Sequence, residues 1–447
     1  MSSLLIINAQ LVNEGKIFEG DVYINHGRIE AIGQLTGHHA EQVLDAQGRY
    51  LLPGMIDDQV HFREPGLTSK GNFWTETRAA VAGGITSFMD MPNTVPATLS
   101  NELLTEKHQL AAGRAFANYG FYLGASSENL ELIKSVDEQL ACGVNVFVGS
   151  SCASKLVDDP EVLREILTSS PVLVTAHCED MPLIAENEES YRSIYGDAVP
   201  FELHGVIRSD EACYIAAERL IEVANHCKAR IHILHISSAK EVALFAAGNL
   251  AEKFITAEVC PHYLHFSDED YAIKQGLLKC NPAIKTIEDR AALIQGLLDG
   301  HLDVIGSAHA PHLLAEKQRH TYFKTPAGMP MVQDALLSLL ENYHDGIFSL
   351  EFIAEKTSHA VAQLFSIQER GFIREGYWAD LVLVDLQQEQ IATSALALAK
   401  CAWTPYDSYK FRSRILSTIV NGELVWHQGQ ILERSPVGQA LQFTRRS

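Results

Sequence analysis

The sequence predicts an α/β protein, a (β/α)8 TIM-like barrel carrying a small β-sandwich domain built from both chain ends. Three observations predict it. Eight apolar runs (55–60, 85–91, 119–123, 144–148, 171–176, 230–236, 256–260 and 302–306) divide the middle of the chain, and helical patterns such as 73–82, 161–167, 209–225 and 289–298 lie between them. Fully apolar runs separated by helices are the pattern of parallel strands buried on both faces. A polar residue stands where each run ends: His61, Asn93, Ser126, Ser150, His177, Ser237, His262 and His309. In a (β/α)8 barrel the C-terminal strand ends form the active-site face. Finally, short strand patterns at 4–8, 21–25, 28–32 and 42–45 are matched by others at 379–385, 417–421 and 423–426. Neither set makes a stable layer unaided, so one β domain from residues 1–52 and 370–447 is expected, with the barrel over 53–369 inserted into it.

The bulk properties narrow the function. The chain has 447 residues, 47% hydrophobic and 20% charged, ordinary values for a globular enzyme. Its formal charge is −21, from 35 basic and 56 acidic residues, with no basic cluster beyond Arg445-Arg446. Such a surface repels a phosphate backbone, which argues against nucleic-acid binding. The eight cysteines form no Cys-x-x-Cys, and several sit inside apolar runs, which reads as reduced cytoplasmic usage. The N-terminus lacks a basic signal-peptide region, and no apolar run is long enough for a bilayer, so the expected setting is cytoplasmic and membrane-free.

The chemistry concentrates at strand ends. Residues 53–66 read Pro-Gly-Met-Ile-Asp-Asp-Gln-Val-His-Phe-Arg-Glu-Pro-Gly, a buried strand closing in ionisable residues. Alternation puts Gln59, His61 and Arg63 on one face. His177 and His235 also end apolar runs, and three imidazoles at barrel-strand ends point to a metal ion. Arg63, Asn93 and His312 offer donors suited to clamping a carboxylate, for which the planar guanidinium fork is well shaped.

Six co-linear segments carry a family resemblance: His61-Phe62-Arg63-Glu64-Pro65-Gly66, Met91-Pro92-Asn93-Thr94, His177-Cys178-Glu179, His232-Ile233-Leu234-His235-Ile236-Ser237, Asn281-Pro282-Ala283 and His309-Ala310-Pro311-His312. Together they resemble the dihydroorotases of the amidohydrolase superfamily. The resemblance implies reversible interconversion of N-carbamoyl-L-aspartate and L-dihydroorotate in pyrimidine biosynthesis. It implies two zinc ions, held by a His-x-His pair, two later histidines, a bridging carboxylated Lys and an Asp that moves the proton. On this chain His61, His177 and His235 match metal ligands, with Gln59 as a weaker oxygen donor. Arg63, Asn93, Asn281 and His312 match substrate-binding positions.

Three positions depart from that pattern. Gln59 replaces the first histidine of the pair, Asn145 the bridging Lys, and Ala308 the metal-binding Asp, so no catalytic residue is assigned there. An amide cannot be carboxylated and a methyl group offers no ligand, so one zinc or none is expected rather than two, with impaired turnover. Asp58, Cys152, Glu179, Asp180 and His309 are the nearby residues that could substitute. The alternatives are a non-catalytic homologue serving as scaffold or regulator, for example of aspartate transcarbamoylase, and a hydantoinase- or allantoinase-like amidase. A small carboxylate ligand and a homo-oligomer are expected partners.

Overall fold

The structure is a computed structural model that describes residues 3–148, 157, 159–319, 321–432 and 435–445. Eight parallel strands among these residues form the barrel: Met55–Val60, Ile85–Asp90, Asn118–Gly124, Ala141–Val148, Val174–Cys178, Ile231–Ile233, Ile255–Val259 and Val304–Ile305. Each pairs with the next in chain order, and a parallel bridge between Val60 and His309 brings the eighth strand's end back to the first. The His61 amide donates to the His309 carbonyl at 2.7 Å across that seam.

All eight expected runs are strands, and the ladder limits explain the differences in length. The sixth run, expected over 230–236, pairs as a strand only over Ile231–Ile233, because the amides of Leu234 and Ile236 donate instead to Ala176 and Glu258 carbonyls. The helices lie where the periodicity puts them. Phe73–Ala82 starts at an Asn72 cap that accepts from the Thr75 amide, and Ile287–Leu298 starts at Thr286 with Asp289 closing a capping box. Among the described residues no helix is long and apolar enough to cross a membrane.

The chain ends combine into a nine-stranded mixed sheet in the described residues, with Tyr50–Pro53 joining Leu4–Asn13 on one side and Leu381–Asp385 on the other. This sheet has its own core, including Ile6, Leu11, Val22, Leu51, Leu381 and Ile419. Inside the barrel a separate cluster contains Ile56, Met89, Met91, Tyr122, Cys142 and Val304 and is closed by Val361, Phe365, Leu441 and Phe443. The Ser358 hydroxyl bonds the Gly54 carbonyl, so this plug covers the N-terminal strand ends and leaves the other mouth open.

Candidate active site

The first barrel strand does not alternate simply. Its register against Ile85–Asp90 shifts between Asp57 and Val60. Val60 joins the outer core with Met55, while Ile56 belongs to the inner one. The shift leaves Gln59 and His61 facing the mouth, as expected from period two, and also turns Asp58 inward below them. Three mouth residues are left-handed: Arg63 (φ 69°), His235 (φ 43°) and Ala308 (φ 51°). Each sits where its strand gives way to loop, and the positive φ re-aims the side chain there.

One cavity of about 220 Å³ opens at this end of the barrel. Its walls include every sequence-derived site residue: Gln59, His61, Arg63, Asn93, Asn145, His177, His235, Asn281, Ala308 and His312. The three departures therefore share one space with the three histidines and with Arg63, Asn93, Asn281 and His312. Phe147, His262 and Tyr263 also line it and were not assigned roles from sequence. His262 ends the seventh run, so a polar residue at a strand end was its available signal.

Within this cavity the groups are held as follows. His61 Nδ1 lies 2.8 Å from Asn93 Oδ1, which accepts its hydrogen. Burial, and then Arg63, push the His61 imidazolium down to about 3, so the ring is neutral at ordinary pH. Burial does the same to His262, also to about 3. Arg63 Nε donates to the Pro311 carbonyl at 3.1 Å, and its Nη2 lies 3.1 Å from the His312 ring. Lys70 donates to His312 Nδ1 at 2.8 Å, which puts the ring hydrogen on Nε2, 2.9 Å from the Ala327 carbonyl. Burial, with Arg63 and Lys70 nearby, holds His312 well below the usual histidine range. No Asp or Glu lines the cavity among the described residues.

His177 and His235 meet directly. His177 Nδ1 is 2.8 Å from His235 Nε2, and His177 Nε2 is 2.9 Å from Glu179 Oε2. Glu179 in turn pairs with Arg208 at 2.7 Å. Burial pushes the Glu179 carboxyl up, but Arg208 and His177 outweigh it and hold it below the usual carboxylate range. The carboxylate accepts from His177 Nε2, and His177 Nδ1 shares one hydrogen with His235 Nε2. Asn145 is fully buried and donates to Thr175 Oγ1 at 3.0 Å.

These donors do not fit a bridged pair of zinc ions. Two dications would enter a cavity without a carboxylate on its wall. A tetrahedral zinc would hold two imidazole nitrogens about 3.3 Å apart, whereas those of His177 and His235 face each other at hydrogen-bond distance. Among the described residues no third His, Cys, Asp or Glu joins those two within 4.8 Å to complete a ligand set. The residues named as substitutes do not supply one. Glu179 is committed to His177 and Arg208. Asp180 caps the helix Met181–Tyr195. His309 Nε2 lies 2.9 Å from Glu76, and its Nδ1 accepts from the Met331 and Val332 amides. Asp58 points below the cavity, and Cys152, like Ser150, lies outside the described residues.

Comparison with known proteins now decides the lineage. The profile of the amidohydrolase family matches residues 50–425. The chain belongs to the amidohydrolase family. Within it, the chain is 32% identical to a dihydroorotase of Halobacterium salinarum, over 94% of this chain and 96% of that one. It is 29% identical to an allantoinase of Bacillus velezensis, over 95% of this chain and 94% of that one. A solved dihydropyrimidinase from Brevibacillus agri superposes with a TM-score of 0.90 at 26% identity, covering 99% of this chain and 100% of that one. An L-hydantoinase from Arthrobacter aurescens shares the fold at a TM-score of 0.93 and 24% identity, covering 99% and 100%. The barrel and end-built sheet are thus the amidohydrolase fold, and the dihydroorotase resemblance extends along nearly the whole chain.

The loop after the first strand shows how this amidohydrolase places Arg63. Gly66 has φ 83°, and a Cβ there would sit 2.0 Å from the Val95 carbonyl oxygen. Leu67 N bonds Arg63 O, and Val95 N bonds Pro65 O, so this close approach ties the Arg63 loop to the Asn93 loop. Gly66→Ala combines left-handed strain of roughly 1–2 kcal/mol with a backbone clash. Urea denaturation of the variant should show a loss of at least about 1 kcal/mol, with both loops displaced in a crystal structure. Unchanged stability would mean that the loops do not need this contact.

Proposed function

We propose that the protein is a dihydroorotase-like binder: it takes up L-dihydroorotate or N-carbamoyl-L-aspartate and turns it over far more slowly than a metal-loaded dihydroorotase. One observation carries this reading. The cavity keeps Arg63, Asn93, Asn281 and His312 on its wall, while neither the described lining nor the Gln59, Asn145 and Ala308 positions offer a carboxylate.

The binding half follows from charge. Arg63 is 8% exposed and His312 is uncharged, so the guanidinium faces an entering carboxylate with little water to screen it. Asn93 and Asn281 supply amide groups at the same wall, suited to the ring amides or the ureido group. The slow half follows from what surrounds the reacting carbonyl. Water unassisted by a metal has a pKa of about 15.7, against roughly 7 when zinc holds it. Ala308 cannot take its proton, and the imidazoles that remain are engaged with Asn93, Glu179 and each other. Loss of a positioned acid–base group alone costs on the order of 10²–10⁴ in rate.

The reading extends to setting and partner. Unpaired thiols at all seven described cysteines support a cytoplasmic location. A binder that responds to a pyrimidine intermediate suits a regulatory or scaffold role, with aspartate transcarbamoylase the partner that the resemblance supplies.

Calorimetric titration checks the clamp. Arg63→Ala should weaken binding of L-dihydroorotate about 10- to 150-fold, from the loss of about 1.5–3 kcal/mol of charge-assisted bonding. Dihydrouracil, hydantoin and allantoin, which lack the ring carboxylate, should bind weakly to the unmodified chain. Tighter binding of any of these three would favour the dihydropyrimidinase- or allantoinase-like reading.

A further inference from the structure

Below the cavity floor lies a polar cluster that the proposed function does not use. Asp58 on the first strand, His232 on the sixth and Glu258 on the seventh are each fully buried. Each offers a ligand atom, and these atoms all lie within 4.8 Å of one another. Asp58 Oδ1 and Oδ2, His232 Nε2 and Glu258 Oε2 face no partner outside the cluster, and burial together with Asp58 pushes the Glu258 carboxyl well up.

The remaining atoms of the cluster are firmly engaged, and their bonds fix which way the free ones face. With the Thr256 hydroxyl donating to the Ile231 carbonyl, its Oγ1 accepts from His232 Nδ1, 2.9 Å away, the tautomer that a metal on Nε2 requires. That places the ring hydrogen on Nδ1 and leaves a bare lone pair on Nε2, facing Asp58 Oδ2 at 3.4 Å. Glu258 Oε1 accepts from the His235 amide at 3.0 Å, which frees Oε2. Tyr122 donates to the Asp58 carbonyl at 2.9 Å and holds the strand in place. At Gly306, a Cβ would sit 2.5 Å from Glu258 Oε2 and 2.6 Å from Asp58 Oδ1, so the absence of a side chain there makes room for both carboxylates.

A lone pair facing a carboxylate oxygen is repulsive, and two buried carboxylates without a cation are costly. A dication removes both problems. From these residues we infer that the barrel interior holds a structural divalent metal ion of the zinc class, bound by Asp58, His232 and Glu258. Two carboxylates and one neutral imidazole balance its charge. Asp58 Oδ1 and Oδ2, Glu258 Oε2 and His232 Nε2 offer it four donor atoms. Thr256 orients the imidazole from behind, the usual role of the group bonded to the other ring nitrogen. The Glu258–His235 bond ties this site to the mouth above it.

The full-length chain, produced in zinc-supplemented medium and dialysed against EDTA, should retain about one zinc per molecule by mass spectrometry of metals. The ion should be released only as urea unfolds the protein, since no ligand is exposed. X-ray absorption of that zinc should show one imidazole among oxygen donors, a readout that needs no variant. Glu258→Gln should lose the metal, whereas His177→Ala with His235→Ala should keep it. A metal-free protein would overturn the inference, with Asp58 and Glu258 then sharing a proton. Zinc with two or more imidazoles, or zinc lost with His177 and His235, would overturn it in favour of the mouth.

Discussion

Changing Gln59 to His, Asn145 to Lys and Ala308 to Asp together raises the turnover of L-dihydroorotate by at least about 10²–10⁴-fold over the unmodified chain, measured in zinc-containing buffer in both reaction directions. The three positions line one cavity with His61, His177 and His235, so the change restores a histidine pair, an anionic bridge and a proton-transferring carboxylate at once. Single replacements should recover little, because residues that act as a unit are strongly non-additive. Ala308→Asp alone adds a base with no activated water to serve. Asn145→Lys alone places an ammonium where Asn145 now bonds Thr175. Position 308 already has the left-handed backbone that Asp tolerates better than Ala, so the backbone need not move to accept the carboxylate. Failure of the triple variant, folded and zinc-loaded, to exceed the parent would show that more than these positions separates this site from an active one.

Glu179→Gln should cost about 3–5 kcal/mol of stability, the second large effect, because it leaves a buried cation without its partner. Glu179 is fully buried and Arg208 is 6% exposed, so solvent screens little of their attraction. Glu179 also fixes the hydrogen of His177 and through it the contact with His235. Its carboxyl is held below the ordinary range, so its contribution is complete above the unfolded value of about 4.3. That contribution is lost only as the pH falls through the lower folded-state value, and the gap between parent and variant should close in acid. Urea denaturation at neutral pH and in acid reads both quantities. The double variant Glu179→Gln, Arg208→Met should recover much of the loss, since removing a buried pair outright is far less costly than breaking it. A cost below about 1 kcal/mol for Glu179→Gln would mean that water reaches the pair.

How far the residues foretold this arrangement depends on how local each signal is. The barrel was legible because a strand buried on both faces must be apolar throughout, as in Ile85–Asp90 and Asn118–Gly124. Strand ends were legible too, since a polar side chain after an apolar run marks where the chain reaches the mouth. Hidden from sequence were the places where the backbone leaves its period. The register shift between Asp57 and Val60 turns Asp58 inward, although strict alternation would put it opposite Gln59 and His61. The positive φ at His235 and Ala308 depends on bonds made across strands, such as His235 N to Glu258. His232 and Glu258 sit inside apolar runs, where a single polar residue carries no sign of its neighbours on other strands. The Leu4–Asn13 and Lys16–Asn25 hairpin runs longer than the hydrophobic pattern, because the exposed residues Lys16 to Glu19 are held by backbone pairing such as Phe18 with Leu11 rather than by burial of their own. Tyr50–Pro53 was missed for the same reason, being defined by its pairing with Leu381–Asp385.

Under the proposed function this amidohydrolase keeps a carboxylate-binding cavity beside a mouth that does not activate water. One measurement bears on it most directly: titration of the unmodified, full-length chain with L-dihydroorotate in a calorimeter, with and without added zinc, while ring opening is followed in the same sample. Binding heat with slow ring opening that added zinc does not speed is the predicted result. Steady hydrolysis once zinc is added would contradict it, for the mouth would then assemble a working metal centre from residues that, as placed here, do not form one.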